Sequence, residues 1–348
     1  MAQGPLTPRS LFLALVVAAG VLVVCTAFAL GMGPEGFRLA DLTTLGGSSD
    51  AALILQQARL PRVLLGALCG AALAMSGAAL QALLRNPLAD PYIVGVSGGA
   101  ALGGSLAIVV GQRVLGTLHE GWLGTAAVPL GAYLGALLVL LLIYAAARAA
   151  GRASALSVLL CGVVFNSFCA ALVSVLKLVV SAETAQSLLA WLMGSVASEP
   201  WPVVGVTAIY VGVGAVVLVA MAGRLQLLAQ GDEAAARLGV SVERTRRAAY
   251  LATSLVVAGV VAVTGLIGFV GLMVPHLVRL GGRADARLVI PVSGLVGAGM
   301  LVVCDALSRG LFAVWGTEFP VGAITALLGS PAFLWLLRKQ LRAHAGGA

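Results

Sequence analysis

Charge is scarce in this chain. Only 10% of its 348 residues are Asp, Glu, Lys or Arg, and 13 of them are acidic. Lysine occurs at Lys177 and Lys339 alone, and neither follows a glycine, so the G-x-x-x-x-G-K-[ST] phosphate loop is missing. If ATP drives this protein, another chain binds it. The histidines are His119, His276 and His344, each in a different expected loop or helix end. None has a second ligand at a spacing that would hold a metal. No carboxylate pair or nucleophile with its base stands out either, so no catalytic residue, metal site or cofactor is expected. Cys25, Cys69, Cys161, Cys169 and Cys304 all lie inside apolar segments and read as small core residues, without a disulfide framework. Finally, no stretch alternates polar and apolar residues over about ten positions, which argues against a β-barrel.

What fills the chain instead is apolar. Hydrophobic residues make up 60%, and mean hydropathy is +1.06. A bilayer core is crossed by roughly 20 apolar residues in a helix. Long uncharged stretches recur at 10–33, 63–84, 91–112, 121–147, 153–176, 200–223, 248–278, 288–304 and 319–337. The first lacks a signal-peptide cleavage pattern and reads as a retained span. The stretch 248–278 is too long for one helix and too short for two full ones. A break near Thr264-Gly265 would give one span and a short return helix, which survives at membrane depth only when buried in protein or lining a cavity. Residues 184–198 read as an interfacial helix anchored by Trp191.

These stretches predict an all-α polytopic membrane protein of about ten transmembrane helices, in one domain covering residues 1–348. The basic residues support the count. Ten spans put fifteen on one side and six on the other. Without the return helix the split becomes 10 against 11 and the asymmetry vanishes. Positive residues favour the cytoplasm, so both termini are expected there. The net charge of +8 is thus a topology signal in a lipid-embedded chain, and no nucleic-acid partner is expected. Glycine is abundant, with 45 residues and spacings such as Gly66/Gly70 and Gly99/Gly103. Small residues let helix backbones approach closely in lipid.

An ion-gradient carrier would need acids inside the membrane. The one candidate is Asp305, and Arg309 follows one helical turn later, so a structural pair is the simpler reading. Lys177 reads either as a snorkelling anchor or as a contact for an anionic cargo.

The longest connection on the arginine-rich side is 224–247. Within it, Gly231–Arg247 reads G-D-E-A-A-A-R-L-G-V-S-V-E-R-T-R-R. Asp232 and Glu233 favour a helix start, the alanines propagate it, and Gly239 can end it in a left-handed turn. A second short helix would begin near Ser241, making a compact knob.

The run Glu233-Ala234-Ala235-Ala236-Arg237-Leu238-Gly239 resembles the coupling motif of ABC importer permeases. Other segments resemble one branch of them, the FecCD-type permeases for iron-siderophores, haem and cobalamin. They are Arg59-Leu-Pro-Arg62, Gly77-Ala-Ala-Leu-Gln81, Arg85-Asn-Pro-Leu-Ala-Asp-Pro91 and Gly95-Val-Ser-Gly-Gly99, then Trp191-Leu-Met-Gly194, Gly268-Phe-Val-Gly-Leu-Met-Val-Pro-His276 and Phe319-Pro-Val-Gly322. They run in family order from about residue 59 to 338.

The resemblance implies a homodimer of ten-helix subunits in a bacterial inner membrane, two cytoplasmic ATPase subunits and a periplasmic substrate-binding protein. It implies that Asp232, Glu233, Ala234, Ala235, Leu238, Gly239 and Val240 couple to the ATPase. Arg59, Arg62 and Arg309 would dock the binding protein. Asn86 and Leu88 would form one part of a cytoplasmic gate, and Ser154, Ala155 and Leu156 the other. The last two depart from the cobalamin-type pattern, where small hydroxyl residues are expected. Cargo would be a ferric siderophore, haem or cobalamin; the alternative reading is an ion-driven secondary carrier.

Overall fold

In hydrocarbon no water is available to the backbone, so a chain of this composition must satisfy its N–H and C=O groups internally, as helices do. The computed structural model describes residues 7–33, 36–37, 50–92, 95–114, 122–149, 155–281 and 284–345. Helices account for most of it. They are α1 (Pro8–Gly31), α2 (Asp50–Ile54), α3 (Leu60–Leu84), α4 (Val96–Val114), α5 (Trp122–Ala149), α6 (Ala155–Val179) and α7 (Ala182–Leu192). Then come α8 (Trp201–Ala229), α9 (Asp232–Arg237), α10 (Val242–Thr264), α11 (Val270–Leu280), α12 (Ala286–Trp315) and α13 (Val321–Ala345). A π-helical turn, Leu55–Arg59, joins α2 to α3. The only β structure among the described residues is the antiparallel pair β1 (Met32–Gly33) and β2 (Gly36–Phe37).

Among the described residues seven helices are long and apolar enough to cross a membrane, and three shorter apolar ones accompany them, within α4, α11 and α13. Each apolar stretch expected from the sequence overlaps at least one of these helices. The chain is a multi-pass membrane protein.

The core is built on α3, α10 and α12, whose apolar windows are 78%, 67% and 72% buried, whereas α1 is only 6% buried. Close helix crossings explain part of the glycine content. A Cβ on Gly70 would stand 2.2 Å from the Gly297 carbonyl oxygen, and one on Gly103 2.1 Å from that of Gly131. Backbones meet there, which only a residue without a side chain permits. At Gly66 the same construction finds ordinary contact, 3.8 Å from Val196 and Val302.

The break at Thr264-Gly265 is present. The Gly265 N–H closes α10 onto Val261, its φ of +68° turns the chain, and α11 begins at Val270. The unwound backbone is satisfied by its neighbours. The Thr264 carbonyl accepts from Ser195 N at 2.8 Å, and Ile267 N donates to the Tyr92 hydroxyl at 2.7 Å. Pro275 supplies no N–H to the Gly271 carbonyl four residues earlier. Gln81 Nε2 takes that place, donating to Gly271 O at 3.3 Å and Leu272 O at 3.1 Å.

Two expectations need correction. The helix expected over 184–198 runs Ala182–Leu192, and residues 194–200 are not helical. Trp191 faces inward: a Cβ on Gly104 would stand 2.4 Å from its ring, so the side chain fills the space that glycine leaves on α4. The second knob helix is not short. From Ser241 onward the chain enters α10 and continues without interruption to Thr264, because Thr245, Ala249 and Tyr250 already bury one face.

Candidate functional site

At one end of the molecule α9 stands out from the bundle. Gly231 enters it at φ +133°, Asp232 and Glu233 occupy its first turn, and Gly239 leaves it at φ +80°. The elbow is hydrogen-bonded on itself: Gly239 N donates to Ala236 O at 3.0 Å and Val240 N to Ala235 O at 3.0 Å. This is the left-handed helix ending that glycine favours. Ala235 is fully buried and Val240 packs on the core beneath it. Glu233 and Leu238 face outward, Leu238 with 63% of its surface exposed. The knob thus has an anchored inner face and an exposed apolar tip. A cleft of about 530 Å³ beside it is lined by Arg85, Gln230, Asp232, Glu233 and Arg237, among others.

Asp232 ties the knob to two helices. One carboxylate oxygen accepts from Arg85 at the end of α3, and the other from Arg246 Nη2 at 2.9 Å on α10. Arg85 also donates from Nε to the Leu228 carbonyl at 2.8 Å, pinning the end of α8. Its own backbone is left-handed, φ 51° and ψ 33°, which is uncommon for a residue with a side chain. Sequence reasoning singled out Asp232 and missed both arginines, because nothing local marks a partner so far along the chain.

The next residue is Asn86, whose Oδ1 accepts from Leu88 N at 2.9 Å in a side-chain-capped turn. Leu88 is 42% exposed. These two expected gate residues are therefore adjacent to the knob's brace. Of the other set, Ser154 lies outside the described residues, and Ala155 and Leu156 open α6 with side chains that are likewise not described.

Two residues on, Asp90 is buried, 6% exposed, and accepts from Tyr92 N at 2.7 Å. Burial raises its pKa to about 6, and the Tyr92 amide offsets only part of that.

The opposite end of α3 holds the second cluster. Arg62 and Arg85 are separated by almost the whole helix, about 35 Å at 1.5 Å per residue. Asp305, 1% exposed, accepts from Arg62 Nε at 2.9 Å and from Arg309 Nε at 3.2 Å. Arg62 turns the other side of its fork to Glu318, Nη2 to Oε2 at 2.8 Å. Arg309 Nη1 and Nη2 donate to the carbonyls of Met32 at 2.6 Å and Ala29 at 2.9 Å, and Arg59 Nη1 to Leu30 at 3.1 Å. Two arginines thus cap the last carbonyls of α1.

The Asp305–Arg309 pair is as the sequence suggested, with Arg62 and Glu318 as members it did not reveal. Of the three arginines expected to dock a partner, Arg309 is the most deeply buried. It is 4% exposed, because its guanidinium is spent on carbonyls and Asp305. Among the described residues no group of three His, Cys, Asp or Glu side chains forms a metal site.

The family model described as the FecCD transport family matches residues 21–339. The cobalamin import system permease protein BtuC of Halobacterium salinarum is 39% identical over 351 residues, covering 97% of this chain and 91% of that protein. The hemin transport system permease protein HmuU of Yersinia pestis is 36% identical, covering 94% and 96%. A solved structure described as an inward-facing conformation of a metal-chelate type ABC transporter superposes with a TM-score of 0.80 at 31% identity, covering 94% of this chain and 99% of its own.

Proposed function

The chain belongs to the FecCD transport family, and from that premise we propose that it is the permease subunit of an ATP-binding cassette importer for a metal-chelate cargo. The cargo class is a ferric siderophore, haem or cobalamin, and the free energy comes from a separate ATPase. The observation that carries this reading is the α9 knob: a short helix with buried Ala235, exposed Glu233 and Leu238, and a glycine elbow, standing outside the bundle. Such a projection is a grip for another protein. The residues that engage it are Asp232, Glu233, Ala234, Ala235, Leu238, Gly239 and Val240. In this reading ten helices span a bacterial inner membrane, both termini are cytoplasmic, and the protein alternates between outward- and inward-open states. A ligand or partner shifts such an equilibrium only through its different affinity for the two states.

A homodimer with its pathway along the shared axis accords with α6. Ser167 and Ser174, seven residues apart, lie exposed on one face, each bonded only back to its own helix, to Val163 O and Ala170 O at 3.0 Å. Small hydroxyl side chains on one helix face suit close packing against a second helix. Asn86, Leu88, Ser154, Ala155 and Leu156 would close that pathway at the knob end with small or apolar groups. At the far end Arg59 and Arg62 would meet acidic residues of the binding protein, and Arg309 would act by holding Asp305 and Arg62 in place.

Reconstituted vesicles test the proposal. Uptake should require the ATPase and ATP and persist with a proton or sodium ionophore. Uptake without the ATPase that collapses on ionophore addition would establish the ion-driven alternative.

A further inference from the structure

Glu318 occupies the arginine that a docking partner would use. The residue sits in the connection between α12 and α13, after Gly316 ends α12 in the left-handed conformation. The connection is fastened to α12 by the Ser308 hydroxyl, which donates to the Phe319 carbonyl. From there Glu318 faces Arg62 with both oxygens, Nη2 to Oε2 at 2.8 Å and Nη1 to Oε1 at 3.4 Å. This is the forked pairing of guanidinium with carboxylate.

The two carboxylates on Arg62 are not equivalent. Asp305 is 1% exposed, is shared with Arg309, and holds α3 to α12 from within. The Glu318 side chain is 45% exposed and has no other cation at salt-bridge distance among the described residues. Arg62 and Arg309 pair with Asp305 and Glu318, and Arg59 stands beside them on the Leu30 carbonyl, so among the described residues Glu318 supplies one of only two carboxylates facing three arginines. If it swings away, the outer fork of Arg62 is left without a carboxylate in a place where its own side chain is only 13% exposed. A partly buried guanidinium in that condition recruits the next carboxylate available.

We infer that Glu318 is an intramolecular stand-in for a partner carboxylate, and that an acidic surface docking at this end must displace it from Arg62. This inference rests on the docking reading of Arg62 and adds a competitor to it. The contact raises the selectivity of the surface. A partner lacking a correctly placed carboxylate gains nothing there, while a matching one exchanges one ion pair for another. The sign is opposite to that of a purely structural ion pair: removing the negative charge of Glu318 strengthens docking.

The test is the affinity of the purified, cargo-free binding protein of the same importer for the full-length permease in lipid nanodiscs. Four forms are compared at low salt: wild type, Arg62→Gln, Glu318→Gln and the double variant. Glu318→Gln should bind about two- to fivefold tighter, the range set by a partly exposed ion pair. Arg62→Gln should bind more weakly, and the double variant no tighter than Arg62→Gln, because Glu318 acts only through Arg62. Weaker or unchanged binding by Glu318→Gln, with Arg62→Gln still impaired, overturns the stand-in and leaves the docking surface standing. Unchanged binding by Arg62→Gln overturns the docking reading itself.

Discussion

Arg85 and Asp232 lie 147 positions apart, yet the guanidinium of one donates to the carboxylate of the other at the base of the knob. Arg85 ends α3 and precedes Asn86, while Asp232 opens α9, so the contact joins the expected gate loop to the expected grip. The pair is about half exposed on both sides, and pairs of this kind contribute up to roughly 1 kcal/mol to stability. Its larger effect should be on transport. Arg85→Asp and Asp232→Arg are each expected to lower cargo moved per ATP hydrolysed, and the combined swap to restore part of it. Additive losses in the combined variant would show that the contact carries no coupling.

Gln81 should be among the least replaceable polar residues of the bundle. Its amide fills the hydrogen bond that Pro275 denies to the Gly271 carbonyl, and its oxygen accepts from Arg279. Gln81→Leu preserves bulk but leaves these groups unpaired in a buried place, a loss of about 1–3 kcal/mol. A clear fall in Tm in detergent is expected; an unchanged Tm would mean that other groups or water satisfy α11.

Asp90 gives the protein a pH signature. Its pKa is raised by burial to about 6, so the folded state holds the proton more tightly than the unfolded chain, whose Asp titrates near about 3.9. The stability associated with the neutral acid is fully present below the unfolded value and is lost as pH rises through about 6. Tm should therefore fall across that window, and Asp90→Asn should flatten this part of the profile. An identical profile in the variant would refute the assignment.

The α3–α11 crossing allows no side chain at Gly77, where a Cβ would stand 1.9 Å from the Gly271 carbonyl oxygen. Gly77→Ala should push the helices apart and cost about 1–3 kcal/mol, as overpacking does. A fully stable variant would show that the crossing can widen freely.

The sequence made the helices legible because length and apolarity alone specify them in a membrane, and even the break at Thr264-Gly265 followed from a run of the wrong length. The knob was legible from Asp232, Glu233 and Gly239, local signals within one short stretch. Its anchoring was not, since Arg85 and Arg246 reach Asp232 through tertiary structure with no spacing rule to announce them. Trp191 misled for a similar reason. An aromatic near a helix end reads as an interfacial anchor until the glycine it packs against, Gly104, is brought beside it. Asp305 and Arg309 were readable at one helical turn, whereas Arg62, 243 positions from Asp305, was not joined to them.

In the proposed function, energy enters this chain through the α9 knob. Gly239→Pro tests it most directly, because proline cannot adopt the φ of +80° that the elbow requires and removes the N–H that bonds Ala236. ATP hydrolysis and cargo uptake are to be measured together in vesicles containing the assembled importer, with Tm confirming a folded bundle. Hydrolysis should continue while uptake is lost. Uptake at the wild-type rate per ATP would contradict it.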